Sequence, residues 1–281
     1  MPQTTQGALS PHQFDALAEF VKSRIGLHLR AEKRALVESR LIKRLSVLRL
    51  PDFDAYLDTL RNDPSGAEMN ALSQALTTNV TAFFREAHHF ERLREWIRSD
   101  VSPRLARGEE VRLWSAGCSI GAEPYSIAMV MIEELPSEYV SRVKILATDI
   151  DKSVLARARH GEYGARETEN LAPDILSRHF TVTATGHVAN DPVRNLVQFR
   201  GLNLIEAWPM KKLFAAIFCR NVVIYFDAPT QAALWKRFLD QLEPEGHLMI
   251  GHSERLDQNA LRSVRSVGVT CYQKKKEGAT Q

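Results

Sequence analysis

Apolar residues recur at Phe14, Leu17, Ala18, Val21 and Ile25 behind Ser10-Pro11-His12-Gln13. That spacing is one face of a helix, opened by a capping box with proline at the first helical position. Similar patterns run from about Ala31 to Leu50, Asp52 to Leu60 and Ser65 to Leu76, divided at Pro51 and at Asp63-Pro64-Ser65-Gly66. Residues 10–76 therefore read as a small helical bundle. After one more helix, about Glu86 to Asp100, the rhythm changes. Strand-like runs at Val111–Ser115, Val143–Thr148, Phe214–Cys219 and His247–Gly251 are separated by helical stretches such as Pro124–Leu135, Lys152–His160 and Pro229–Leu242. Such alternation predicts an α/β architecture, a mostly parallel sheet covered by helices. Between Phe180 and Phe199 the text FTVTATGHVANDPVRNLVQF is short-period, Thr/Val-rich and broken by turns, which predicts a small β insertion.

Composition sharpens the picture in three places. A chain of 281 residues, at roughly 100 to 200 residues per domain, is expected to form two domains. The start, MPQTTQGALSPHQF, has neither a basic n-region nor an apolar core, and no stretch approaches the roughly 20 apolar residues that span a bilayer. A soluble cytoplasmic protein without membrane insertion is the expectation. Cys118, Cys219 and Cys271 lie far apart with no C-x-x-C, so neither a disulfide framework nor a zinc site is indicated. Net charge is +3, but Lys22 to Arg49 carries nine Lys or Arg against Glu32 and Glu38, a segment that should attract an acidic partner.

The segment Trp114 to Ser126, WSAGCSIGAEPYS, admits competing readings. Gly117-Cys118-Ser119-Ile120-Gly121 matches the G-x-S-x-G elbow of a serine hydrolase, and Asp149 and His252 follow in triad order. Context disfavours it, because the motif follows the first parallel strand and no HGGG-type oxyanion segment precedes it. Alternatively, a strand, a glycine-rich turn and a helix form a cradle for a nucleotide-like cofactor, with Asp149 at the next strand end gripping ribose hydroxyls. A third strand ends in Arg220 and Asn221. The second glycine of G-x-G-x-x-G is missing, which argues against a pyrophosphate, and Glu123 beside the loop suits a cationic group. S-adenosylmethionine, carrying an ammonium and a sulfonium, fits that charge pattern. A non-catalytic nucleotide-binding module that docks through its basic helices is a third reading.

LTTNVTAFFRE (76–86), RLWSAGCSIGAEPYSIAM (112–129), ILATDID (145–151) and IFCRNVVIYFD (217–227) together resemble, in order, the signature segments of the CheR-type chemotaxis receptor glutamate O-methyltransferases. The likeness runs from the helical amino-terminal region to Tyr272. It implies a class I, Rossmann-like S-adenosylmethionine-dependent methyltransferase sheet with an N-terminal helical domain and a small inserted antiparallel β subdomain. The expected boundaries are a receptor-docking domain at 1–78, a linker and helix at 79–110, and a methyltransferase domain at 111–281 with the insertion at 180–199. The resemblance places cofactor contacts at Asn79, Thr81, Arg85, Glu123, Asp149, Asn203, Leu204, Arg220 and Asn221, to which the loop adds Gly117 and Ser119. Arg85 and Tyr225 match the methyl-transfer centre, and S-adenosylhomocysteine would be the product. It supplies the partner as well, the cytoplasmic helical domain of chemotaxis receptors, and the enzyme is expected to be a monomer. The turn ATGHVANDPVRN implies weak or no binding of a free receptor-tail pentapeptide.

The basic stretch has two readings of its own. Lys33, Arg40 and Arg44 fall at i, i+7 and i+11 on one side of a helix, and with Lys43 they are the candidate docking cations. No aromatic residue is interleaved with the cations of 22–49, and no nucleic-acid motif occurs, so nucleic acid is not the expected partner. His88 and His89 are adjacent and lack the i, i+4 spacing of a helical metal pair; no metal is expected.

Overall fold

The computed structural model describes residues 8–77 and 81–276. The chain divides into two compact units, Met1–Asn79 with Tyr225–Thr230, and Val80–Ile224 with Gln231–Gln281.

The first unit contains helices α1 (Pro11–Ile25), α2 (Arg34–Leu48), α3 (Phe53–Arg61) and α4 (Ala67–Leu76). The capping box expected at α1 is formed in both directions, Gln13 N–H to Ser10 Oγ at 3.2 Å and Ser10 N–H to Gln13 Oε1 at 3.0 Å. A short 3-10 turn over Ala31–Lys33 delays α2 to Arg34. Leu17, Val21, Leu41, Leu45, Tyr56 and Leu72 are fully enclosed and form the core, against which Tyr225 packs. The Tyr225–Thr230 segment is fastened to this unit by His28 N–H donating to the Tyr225 carbonyl at 2.8 Å and by a Lys22–Asp227 ion pair at 2.7 Å. Inside the bundle, Glu68 accepts from both guanidinium nitrogens Nε and Nη2 of Arg44, at 3.0 and 2.5 Å, and from the Tyr56 hydroxyl at 2.7 Å. Burial and the neighbouring Glu68 push the Tyr56 hydroxyl's pKa up, so it remains a donor.

In the second unit the strands are β1 (Val111–Ala116), β2 (Val143–Asp149), β3 (Glu162–Gly164), β4 (Phe180–Val182), β5 (Gly186–Ala189), β6 (Val197–Gly201), β7 (Phe214–Cys219), β8 (Leu242–Ile250), β9 (Val264–Gly268) and β10 (Cys271–Lys274). Between them run α5 (His88–Trp96), α6 (Ser102–Ala106), α7 (Ala122–Glu134), α8 (Ser137–Val140), α9 (Lys152–His160), α10 (Pro173–His179), α11 (Asp191–Asn195), α12 (Ala228–Gln241) and α13 (Gln258–Arg262). The main sheet has the order β6-β2-β1-β7-β8-β10-β9. Its first five strands pair in parallel, and β10 runs antiparallel to β8 and β9. The all-buried β7 and nearly all-buried β1 are the central pair, as expected of parallel strands covered on both faces.

Two expected elements differ in extent. The helix expected at 86–100 starts at His88, because Glu86 is left-handed at φ 57°, and it continues through a π turn at Ile97–Val101 into α6. The β insertion expected at 180–199 is instead the antiparallel sheet β3-β5-β4, spanning 162–189. Val197–Gly201 belongs to the main sheet as β6, in parallel register with Ile145–Asp149. Gly186 is required by that small sheet: a Cβ there would fall 2.1 Å from the Tyr163 carbonyl oxygen. Among the described residues, no helix is long and apolar enough to cross a membrane.

Candidate cofactor site

The site lies where β1, β2 and β7, neighbours in the sheet, end. After Ala116 the chain turns through Gly117 (φ 78°), Ser119 (φ 49°) and Gly121 (φ 92°) before α7 begins. Gly117 and Cys118 donate their N–H groups to the Thr148 carbonyl at 2.8 and 2.9 Å, which fastens the turn to the end of β2. Ser119 N–H donates to Asp149 Oδ2 at 2.8 Å, and Asp151 N–H to Oδ1 at 3.0 Å. Burial pushes the Asp149 carboxyl's pKa up, against the pull of these amides. Each Asp149 oxygen retains a second lone pair for a hydroxyl donor.

Glu123, in the first turn of α7, accepts from the Ser115 hydroxyl at 2.6 Å and from Arg220 Nη1 at 3.1 Å. Burial raises its pKa, opposed by the Arg220 charge and the Ser115 hydrogen bond. Arg220 also donates through Nη2 to the Arg85 carbonyl and lies 3.5 Å from Glu86 Oε2. Glu86 Oε1 accepts from His252, through its backbone N–H at 3.3 Å and from Nδ1 at 3.0 Å. Burial opposes ionisation of Glu86, yet His252 and Arg220 hold its carboxyl below the ordinary value. Phe84 N–H donates to Ser126 Oγ at 3.0 Å, tying the Phe84–Glu86 turn to α7. Phe84, Glu86, Ser119 and Asn221 all have positive φ without being glycine, a clustering of backbone strain typical of functional sites.

Two hydrogen-bonded groups therefore lie at these strand ends, Gly117, Ser119 and Asp149 with the end of β2, and Glu123, Arg220 and the main chain of Arg85; Asn221 follows Arg220 directly in the chain. Leu202 N–H donates to the Asp149 carbonyl at 3.0 Å, bringing Asn203 and Leu204 beside it. Asn203 donates to Glu206 at 3.0 Å, and the Leu204 carbonyl takes Arg237 Nη1 and Trp208 Nε1. Thr81 is half-buried, and Asn79 lies outside the described residues. Tyr225 belongs to the helical unit. Sequence reasoning missed Glu86, Ser115 and Glu254, the last of which is 3% exposed and binds backbone amides of 221–224.

The hydrolase triad is not assembled. Ser119 Oγ is buried without a hydrogen-bond partner among the described residues, so it neither has a base nor caps α7. His252 is paired with Glu86, and both Asp149 oxygens face main-chain amides. Glu86, His88 and His89 bring potential metal-ligand atoms within 4.8 Å of one another. The two histidine rings lie 4.2 Å apart, closer than their adjacency suggested. The Arg220 guanidinium 3.5 Å from Glu86 already supplies the positive charge there, which disfavours a cation.

An amino-acid nucleoside fits these residues. Ser119 Oγ, Glu86 Oε2 and Arg220 Nε are buried atoms without hydrogen-bond partners among the described residues, and Glu123 with Arg220 offers an anion and a cation side by side. The family model described as CheR methyltransferase, SAM binding domain matches residues 79–272, and that of the CheR methyltransferase all-alpha domain matches 12–77. A probable chemotaxis protein methyltransferase of Rhizobium etli is 41% identical over 256 residues, covering 90% of this chain and 96% of its own length. Chemotaxis protein methyltransferase 2 of Pseudomonas aeruginosa is 43% identical over 265 residues, covering 92% and 91%. The Escherichia coli chemotaxis protein methyltransferase is 42% identical over 259 residues, covering 90% and 88%.

Proposed function

Because the chain belongs to the CheR methyltransferase family, and is therefore an S-adenosylmethionine-dependent methyltransferase, we propose that it esterifies glutamate side chains on the cytoplasmic helical domain of chemotaxis receptors. The observation that carries this reading is the pair of Glu123, in the first turn of α7, with Arg220 at the end of β7, beside the strand ends that carry Asp149. Glu123 would hold the cofactor's ammonium, Arg220 its carboxylate, and Asp149 its ribose hydroxyls, with Gly117, Ser119, Asn203, Leu204 and Asn221 completing the cradle. Thr81 and Asn79 are assigned on motif alone. Bound there, the cofactor supplies an electrophilic methyl group on sulfur.

The acceptor needs no general base, since a glutamate with pKa near about 4.3 is already ionised at neutral pH. The protein's task is alignment of carboxylate, methyl and sulfur, worth up to about 7 to 11 kcal/mol, and exclusion of water. Arg85 and Tyr225 are assigned to the methyl-transfer centre by their place in the two signature segments. Arg85 would orient the acceptor carboxylate or the cofactor end; Tyr225 would wall the centre or hydrogen-bond within it. Among the docking candidates, Lys33 and Lys43 are exposed, whereas Arg44 is held by Glu68 and Arg40 donates to the Leu76 carbonyl at 2.7 Å. Lys33 and Lys43 are accordingly the cations best placed to meet acidic receptor helices.

The test is transfer of tritium from methyl-labelled S-adenosylmethionine to a purified receptor cytoplasmic domain. Label released as methanol by mild base supports a glutamate ester; base-stable label or none overturns the acceptor assignment. Sedimentation equilibrium of the purified enzyme checks the proposed monomer, and cell fractionation the proposed cytoplasmic location.

A further inference from the structure

Glu254 sits in the turn after β8, buried, and makes no ion pair among the described residues. Its Oε1 accepts the backbone N–H groups of Val222 at 3.0 Å, Val223 at 2.7 Å and Ile224 at 3.3 Å. Its Oε2 accepts those of Asn221 at 3.0 Å and Gly251 at 2.6 Å. Consecutive amides converging on one anion form the kind of concave nest that in other proteins holds phosphate; here the chain's own carboxylate fills it. Two further features depend on that arrangement. Asn221 is left-handed at φ 59°, a conformation that asparagine adopts more readily than other residues with a Cβ. Gly251 is bare where a Cβ would fall 2.7 Å from Asn221 Nδ2 and 2.8 Å from its backbone N, so the two turns touch.

We propose that Glu254 is a positioning residue for cofactor binding, holding the Arg220–Ile224 loop in the one curvature that presents Arg220 and Asn221 to the cofactor. The inference rests on the reading that those two side chains contact S-adenosylmethionine. Glu254 does not touch the cofactor. It acts by fixing four successive N–H directions leading into and through the first residues of the short 3-10 turn Val223–Tyr225, where the opening amides of such a turn have no partner of their own. Because the nest is built from main-chain groups and one side chain, it is assembled before the cofactor arrives, which lowers the ordering that binding must supply.

The experiment is titration calorimetry of the full chain with S-adenosylhomocysteine, at a temperature well below the first melting transition, for wild type, Glu254→Gln, Glu254→Asp and Asn221→Ala. Glutamine has the same shape but turns an NH2 group toward amide donors, so its Kd should rise at least about tenfold, while the KM for receptor is unchanged. A Gln variant that melts earlier but binds with wild-type Kd has lost only stability, and overturns the proposal, as does one that changes neither property. Should Asn221→Ala bind normally, the cofactor-contact reading fails instead. If the Gln variant does not fold, the shorter Asp variant and amide exchange of the wild type decide. Val222 and Val223 amides that are protected without ligand, together with weakened binding by Asp, support the nest; free exchange of those amides refutes it.

Discussion

His247 is 1% exposed, packs against Trp96 with ring centroids 5.0 Å apart, and has no hydrogen-bond partner at either nitrogen among the described residues. Burial, with Arg92 and Arg265 adding to it, lowers its pKa from 6.5 to about 4; burial and Arg220 likewise lower His89 from 6.5 to about 3. Both rings are neutral in the folded protein and gain a proton on unfolding once pH drops below about 6.5. Their contribution to stability is therefore complete above that pH and lost as pH falls towards 4 and 3. His247→Leu should leave the melting temperature at pH 7.5 unchanged or higher, and flatten its decline between pH 6.5 and 4.5. An acid limb as steep as the wild type's would remove His247 from the account. Asp149→Ala should weaken S-adenosylhomocysteine binding by about 1.5 to 3 kcal/mol, since a charged acceptor for the ribose hydroxyls is gone. Calorimetry showing unchanged affinity would refute that assignment. Asp149 and Arg220 are candidates from the sequence because they are charged groups at the ends of apolar strands, and Glu123 because it follows the glycine loop. Glu254 is not, because its partners are main-chain amides, which every residue but proline carries.

At the scale of the element, the glycine loop and the 220–224 loop constrain each other. A Cβ on Gly117 would lie 2.3 Å from Val222 Cγ2, on a stiff β-branched side chain, and the residue's φ of 78° adds strain for any other amino acid. Gly117→Ala should lower both stability and cofactor affinity, and Val222→Ala in the same chain should restore part of the loss by removing the clash but not the strain. Melting temperatures over the four-member cycle test this; additive effects would refute the clash. In the bundle, Arg44→Glu sets a like charge against Glu68 and should destabilise the helical unit by about 2 to 4 kcal/mol, whereas Lys33→Glu, fully outside that network, should stay within about 0.5 kcal/mol. Denaturant unfolding of both variants is the check. The sequence suggested one role for Arg40, Lys43 and Arg44, since helical spacing reports a shared side but not which cation is already held. The same limit hid the small sheet. β3 and β5 are separated by a helix and a strand, so their pairing leaves no local period, while α1, α3, α7 and α9 are each announced by their own residues.

For the whole molecule, charge is unevenly placed: net +3 overall, with nine of the 37 Lys and Arg lying between Lys22 and Arg49. Raising salt from 50 to 300 mM should therefore raise the KM for receptor while leaving S-adenosylhomocysteine affinity nearly constant, since exposed charges are screened and the enclosed Glu123–Arg220 pair far less. Parallel salt dependence of both constants would refute a docking role for the basic stretch. The length suggested two parts, but the change of period near residue 110 falls inside the second unit, which begins at Val80. What no local pattern showed is that the helical unit is discontinuous, its helices drawn from residues 11–76 and its last piece from Tyr225–Thr230. On the ribosome this has a consequence. The four helices emerge first, yet Tyr225 cannot reach their core until some 150 further residues have been made. The amino-terminal unit therefore has to wait, incompletely covered, for the catalytic unit to be synthesised, and a chain cut after residue 77 should show a looser bundle than the same helices in the whole protein.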